Sequence, residues 1–270
     1  MIPAPFEYAA AESAQHALEL LATFGDDAKV LAGGHSLLPM MKLRLASPSA
    51  LIDITRVAEL AGIRAGDGEL VIGATTRHAD VAASELVRSR APLLAHAAAQ
   101  VGDPQVRHRG TIGGSLAHAD PAADLPMALL ALGGSAEITG QHGTRTVPAD
   151  GFFTGFFETT LAPDELLTAV RVPVQPAAGW GYQKFVRRAN DWAIVGVAAA
   201  GGRIALANMG PVPVRARAAE QALAGGAGPA EAAALAAEGT EPGEDIHADR
   251  AYRRHLARVL TRRALEHRAG

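Results

Sequence analysis

From Ser13 onward the apolar positions Ala14, Ala17, Leu18 and Leu21 return at helical spacing, with Ser13 placed to cap the helix they predict. Gly25 and the pair Asp26-Asp27 stop it. Ala28 to Ala32 predicts a short buried strand that ends at Gly33-Gly34. A mixed apolar and charged segment follows from Leu37 to Leu45, and Leu51-Ile52-Asp53-Ile54 predicts another strand. Strand and helix signals alternating over about 55 residues predict a small α/β unit.

From residue 56 the texture changes. Asp67-Gly68, between Ile63 and Leu70-Val71-Ile72, predicts a hairpin. Helical patches run from His78 to Ser84 and from Ala91 to Val101, and a loop from Gly102 to Gly114 leads toward an apolar helix over Leu125 to Leu132. Short strands are expected over Ala136 to Thr139, Arg145 to Val147 and Leu166 to Val172, and Pro173, Pro176 and Gly179 mark a boundary. Beyond it lie strand patterns at Tyr182 to Val186 and Ala193 to Ala200, hinged at Gly201-Gly202. Helices are expected over Ala218 to Leu223, Pro229 to Ala237 and Asp249 to His267. The pattern predicts an α+β chain in three unequal pieces, about 1–55, 56–176 and 177–270.

Length agrees, since 270 residues divided by roughly 150 per domain gives about two domains. Hydrophobic residues make up 49% and charged residues 20%, which excludes a disordered or fibrous chain. A net charge of −3 provides no basic field for nucleic acid or an anionic membrane, and 4% aromatic residues argue against a base-stacking surface. The first residues show no secretory pattern, and the longest apolar run, Ala193 to Gly202, is about half the ~20 residues that span a bilayer. A soluble chain is expected. Cysteine is absent, so this chain offers no disulfide, thiol nucleophile, thiolate zinc site or iron–sulfur cluster. The histidines fall at no usual metal-ligand spacing.

Two segments carry candidate chemistry: Ala32-Gly33-Gly34-His35-Ser36 and Thr111-Ile112-Gly113-Gly114-Ser115. Paired glycines let successive backbone N–H groups face one concavity, because no Cβ blocks a positive φ or a close ligand. Ser36, Thr111 and Ser115 add hydroxyls. Two such loops could clamp a diphosphate, or each could be a tight turn. Gly-x-Gly-x-x-Gly, the P-loop and the nucleophile elbow are all missing. Asp120 and Asp124 suit a ribose hydroxyl, or the capping of the helix near Leu125.

The run Ala32-Gly33-Gly34-His35-Ser36-Leu37-Leu38-Pro39-Met40-Met41-Lys42-Leu43-Arg44 resembles the first flavin-diphosphate loop of the FAD-binding medium subunits of molybdenum hydroxylases. Thr111-Ile112-Gly113-Gly114-Ser115-Leu116-Ala117-His118-Ala119-Asp120-Pro121-Ala122-Ala123-Asp124 resembles the second. The similarity runs from Pro5-Phe6 to the final helix, and within the family is greatest to the aerobic carbon monoxide dehydrogenases. It implies a two-part FAD domain of the vanillyl-alcohol-oxidase (PCMH) type over 1–176, followed by a smaller α+β C-terminal domain over 177–270. FAD would be held non-covalently, its diphosphate between the two loops and Asp124 on the adenosine side. His35 belongs to the loop rather than acting as a base, and Tyr182-Gln183-Lys184 would bring Lys184 near the isoalloxazine. Lys184 could instead be a sheet-edge charge.

The resemblance further implies iron–sulfur clusters on a small partner subunit and the molybdenum cofactor on a large one, assembled as a dimer of heterotrimers. Electrons would pass from a cluster through FAD to a quinone or other acceptor, in the cytoplasm or, through the complex, at the inner face of the membrane. No catalytic acid, base or nucleophile is expected here. Two other readings are a stand-alone flavin reductase on the same fold and a non-redox scaffold or assembly protein. Valine at Gly33, Gly34, Gly113 or Gly114 is expected to cost FAD more than folding. The helix from Tyr252 to Leu265 and the segment at Met40-Met41 would be either partner contacts or parts of the chain's own core.

Overall fold

The computed structural model describes residues 2–175 and 179–266; the expected boundary at 176/177 and the expected helix end at His267 lie outside the described residues. The first piece runs β1 (Glu7–Ala10), α1 (Ala14–Phe24), β2 (Ala28–Leu31), α2 (Leu37–Lys42) and β3 (Ala50–Asp53). Its three strands are parallel in the order β1-β3-β2. Ser13 Oγ accepts from the His16 N–H at 3.0 Å and Gly25 ends the helix at φ +74°, so both caps are where the sequence puts them. Ala17, Leu18 and Leu21 then pack on Ile52. Strand β1 is not predicted. It is a largely exposed edge without apolar alternation, and its order comes from pairing Glu7–Ala10 with Ala50–Asp53.

The second piece comprises β4 (Ile63–Ala65), β5 (Glu69–Gly73), α3 (His78–Ala83), α4 (Glu85–Arg90), α5 (Pro92–Ala99), α6 (Pro104–Arg109), α7 (Ile112–His118), α8 (Asp124–Leu132), β6 (Ser135–Gly140), β7 (Gly143–Pro148), α9 (Ala149–Phe152), β8 (Phe153–Gly155), β9 (Glu158–Thr159) and β10 (Leu166–Pro173). Five strands form an antiparallel sheet, β4-β5-β10-β6-β7, and β8 and β9 form a separate hairpin. Leu70, Ile72, Ile138 and Val170 from the sheet share a core with Leu94 of α5 and Leu129 of α8.

The expected loop from Gly102 to Gly114 is a correction: it holds α6 and α7. Helices this short show no periodicity, and only their caps mark them. Asp103 Oδ1 accepts from the Val106 N–H at 2.9 Å with Pro104 following, and Thr111 Oγ1 accepts from the Gly114 N–H at 3.2 Å.

The third piece holds β11 (Gly181–Phe185), β12 (Val195–Ala200), β13 (Arg203–Ala207), β14 (Val214–Arg215), α10 (Arg217–Ala224), α11 (Pro229–Ala234) and α12 (Arg250–Glu266). Its antiparallel strands lie in chain order, and Gly201-Gly202, both at positive φ, make the tight turn of the β12–β13 hairpin. Strand β12 is buried throughout because α12 covers one face and α8 the other. Helix α8 is buried on every side between this sheet and the five-stranded one. The stripe of α12 is spent inside its own domain, with Leu256, Leu260 and Leu265 on the sheet. Met41 is likewise buried, whereas Leu43 and Leu45 beside it are exposed.

Candidate functional site

Strand β2 delivers the first glycine loop. Gly34 sits at φ +74°, a conformation that favours glycine. Gly33 lies directly on the chain joining α6 to α7. A Cβ there would come within 2.6 Å of the Arg109 carbonyl oxygen and 2.7 Å of Gly110 Cα. The two loops are therefore in backbone contact. His35 is exposed, with Nδ1 3.1 Å from the Gly33 carbonyl. Among the described residues no backbone hydrogen bond uses the N–H of Gly33, Gly34, His35 or Ser36.

The second loop is the first turn of α7, and its donors are spent differently. The Ile112 N–H donates to Thr76 O at 3.0 Å, Gly113 to Ala74 O at 2.9 Å and Ser115 to Thr111 O at 3.0 Å. Gly113 is required by packing, since a Cβ would meet Ala74 Cβ at 2.5 Å. Gly114 differs: a Cβ there would meet only Thr111 Oγ1, at 2.8 Å, and otherwise point into open space. The first loop thus keeps four unspent N–H groups and the second only that of Thr111, adding shape and the Thr111 and Ser115 hydroxyls.

His78 closes the wall behind this junction. Its backbone N–H donates to Gly110 O at 3.0 Å, and its ring occupies the space a Cβ on Gly110 would need. Burial, with smaller contributions from His35 and Arg107, lowers its pKa to about 4. The imidazole is neutral at pH 7.

A third group arrives from the C-terminal sheet. Asp124, the first residue of α8, is only 3% exposed, and its carboxylate caps no helix. Its Oδ1 accepts from the Tyr182 hydroxyl at 2.5 Å and its Oδ2 from Lys184 Nζ at 2.9 Å; Lys184 also donates to Gln100 O at 3.2 Å. Burial pushes the Asp124 carboxyl above the usual range, against the pull of Lys184 and Tyr182. Burial and the Asp124 charge push the Tyr182 hydroxyl well up, so it remains a donor. Lys184 is part of a buried ion pair between the two sheets. Asp120 turns back on its own loop, accepting from the Ala122 N–H at 2.8 Å.

Both loops, His78, Asp124 and Lys184 line one cavity of about 790 Å³, within the ~300–1,000 Å³ of small-molecule sites, and Asp120 and Tyr182 do not. Ala32, Gly33, Gly34, His35, Ser36, Thr111, Gly113, Gly114, Ser115, Asp124 and Lys184 all line it. The structure brings together segments more than 70 positions apart in sequence. One expectation changes. Asp124 and Lys184 touch, so they face the same part of an extended dinucleotide and cannot serve its adenosine and isoalloxazine ends separately.

Sequence reasoning missed His78 and the turn Asn190-Asp191-Trp192, which also line the cavity. An isolated tryptophan in a polar turn between two strands was the available signal for the latter. Among the described residues no group of histidine, aspartate and glutamate could hold a metal ion, and no helix is long and apolar enough to cross a membrane.

Comparison with known proteins agrees with this geometry. Residues 4–175 match the family model of the FAD binding domain in molybdopterin dehydrogenase, and residues 180–267 match that of the CO dehydrogenase flavoprotein C-terminal domain. The chain is 45% identical to the carbon monoxide dehydrogenase medium chain of Hydrogenophaga pseudoflava, over 98% of this chain and 97% of that one. It is 40% identical to the 6-hydroxypseudooxynicotine dehydrogenase complex subunit alpha of Paenarthrobacter nicotinovorans, over 98% and 95%. Among solved structures it superposes on a chain of the Hydrogenophaga pseudoflava carbon monoxide dehydrogenase with a TM-score of 0.94, at 48% identity and 98% coverage of both chains.

Proposed function

The chain belongs to the FAD-binding medium subunits of the molybdenum hydroxylase family, and on that premise we propose that its cavity holds FAD non-covalently as an electron relay between partner subunits and an external acceptor. The observation that carries the reading is the row of unspent N–H groups at Gly33, Gly34, His35 and Ser36, four residues that line one cavity together with Gly114 and Ser115. Hydrogen bonds to a charged acceptor are worth about 1.5–3 kcal/mol each, so this row suits a diphosphate. The Thr111 and Ser115 hydroxyls complete the cradle.

FAD, held by these loops, would supply the redox chemistry between a cluster on a small partner subunit and a quinone or another acceptor. This chain's residues bind and orient it. We place the Asp124–Lys184 pair beside the flavin ring system, where the ammonium stabilises the negative charge of a reduced flavin and the carboxylate limits that effect. Substrate oxidation lies with a large molybdenum-bearing partner in this reading, and the two partners and this chain form the working unit.

The test uses the complex isolated through a tag on this chain. Acid denaturation should leave the flavin in the supernatant as FAD, read by its fluorescence. A supernatant without FAD, or flavin that precipitates with the chain, would overturn the reading.

A further inference from the structure

The turn Arg187–Trp192 joins β11 to β12 and puts Asn190, Asp191 and Trp192 into the cavity wall. Little apolar packing holds it: Trp192 is 55% exposed, and Asn190 sits at φ +70°. Within the turn, the Asp191 N–H donates to Arg188 O at 3.2 Å and the Arg188 N–H to Asp191 Oδ2 at 3.2 Å. Its attachment to the rest of the molecule comes just after Trp192. The Ala193 carbonyl accepts from Asn208 Nδ2 at 2.9 Å, and the Ile194 carbonyl accepts from Arg253 Nη1 at 2.5 Å. In extended chain successive carbonyls point to opposite sides, and here one is taken from each side.

Both donors are unusual for their places. Arg253, on α12, is 2% exposed in an otherwise apolar helix face, and its guanidinium reaches Asp245 Oδ2 at 2.6 Å as well as Ile194 O. A buried charge is costly unless paired and hydrogen-bonded, and a leucine would pack on the sheet more cheaply. Asn208, after β13, sits at φ +60° and donates its own N–H to Pro121 O at 2.7 Å. It therefore ties the segment between Asp120 and Asp124 to the segment after Trp192.

We propose that Asn208 and Arg253 are positioning residues that fix the Asn190–Trp192 wall of the cofactor cavity by holding the Ala193 and Ile194 carbonyls. Neither touches the cavity. Asn208 holds the carbonyl one residue after Trp192 and Arg253 the next, so each acts on Trp192 through the backbone. The effect on FAD rests on the reading that FAD occupies the cavity; the effect on the wall does not.

The experiment uses the complex reassembled with this chain carrying Trp180→Phe and 5-hydroxytryptophan in place of tryptophan, so that red-edge excitation reports position 192 apart from the partners' tryptophans. Asn208→Gly keeps the positive φ and the bond to Pro121 but removes the bond to Ala193. Arg253→Lys keeps the charge and removes the fork. Leu223→Ala, on the far face of the sheet, is the stability reference. Asn208→Gly should increase acrylamide quenching of Trp192 and speed FAD release roughly three- to tenfold, the scale of one hydrogen bond, with a melting temperature no lower than that of Leu223→Ala. Arg253→Lys, if it folds, should act in the same direction. Unchanged Trp192 quenching in folded Asn208→Gly, or equal FAD loss in Leu223→Ala, would overturn the proposal. A parent complex without FAD would defeat the cofactor reading instead, and the acrylamide arm would still judge the wall.

Discussion

A Cβ at Gly114 would meet only the Thr111 hydroxyl, whereas one at Gly113 would strike Ala74 and one at Gly33 the Arg109–Gly110 backbone. The four loop glycines are therefore not equivalent: valine is expected to cost FAD more than folding at Gly114, and to cost folding first at Gly113 and Gly33. Gly114→Val should melt within a few degrees of the parent and lose its FAD. Gly113→Val should destabilise by about 3 kcal/mol or more, because a clash with backbone cannot relax by rotamer change. Flavin content and thermal melts on the two variants distinguish the cases. His78 carries a second residue-scale consequence. Burial holds its folded-state pKa near 4, below the ~6.5 of an unfolded chain. The unfolded state therefore takes up the proton first as pH falls. The neutral ring's contribution is intact above about pH 6.5 and is lost progressively toward pH 4, by up to about 3 kcal/mol. Burial also lowers the pKa of His96 and His118, which adds to the trend in the same direction. Melting temperature measured from pH 4 to 7 should show a slope that His78→Leu reduces; an unreduced slope would assign the titration elsewhere.

At the scale of elements, the contact between α8 and the C-terminal sheet decides whether the buried pair can form. Met127 lies over Gly196 of β12, where a Cβ would approach its sulfur to 3.1 Å, and Gly196 is the register partner of Lys184 on β11. The absent side chain lets the helix settle close to the sheet, and Asp124, one turn before Met127, then reaches Lys184. Gly196→Val should destabilise by about 1–3 kcal/mol through overpacking. Adding Met127→Ala should recover part of that loss, so that a double-mutant cycle in urea returns a coupling above about 0.5 kcal/mol. Additive effects would mean that the helix and sheet do not meet at this point. The short helices α6 and α7 matter for a related reason: by folding back on Ala74 and Thr76 they carry the second loop to the first.

For the molecule as a whole, the cavity draws walls from all three pieces of the chain, so no one piece contains the site. The chain has no cysteine to hold an iron–sulfur cluster, so the relay proposed above needs its electron donor on another chain, and the relatives are named as a medium chain and a complex subunit. Much of this was legible locally. Ser13 and Gly25 bracket α1, the Asp67-Gly68 turn marks the β4–β5 hairpin, an apolar run marks β10, and the two glycine loops with their flanking residues identify the family, because capping, turn chemistry and loop composition are short-range properties. The edge strand β1 and the helices of the Gly102–Gly114 segment were not legible, since long-range pairing and tertiary docking order them rather than any local pattern. The sequence alone determined the absence of thiol chemistry, the α+β class and the two glycine loops. Only the tertiary structure decided how the cavity is assembled: that the first loop keeps its donors while the second spends all but the Thr111 N–H, that His78 and the Asn190–Trp192 turn join the wall, that Asp124 and Lys184 are one pair, and that Asn208 and Arg253 take the Ala193 and Ile194 carbonyls. Those outcomes depend on which backbone groups find partners across segments distant in sequence, and no local pattern encodes that.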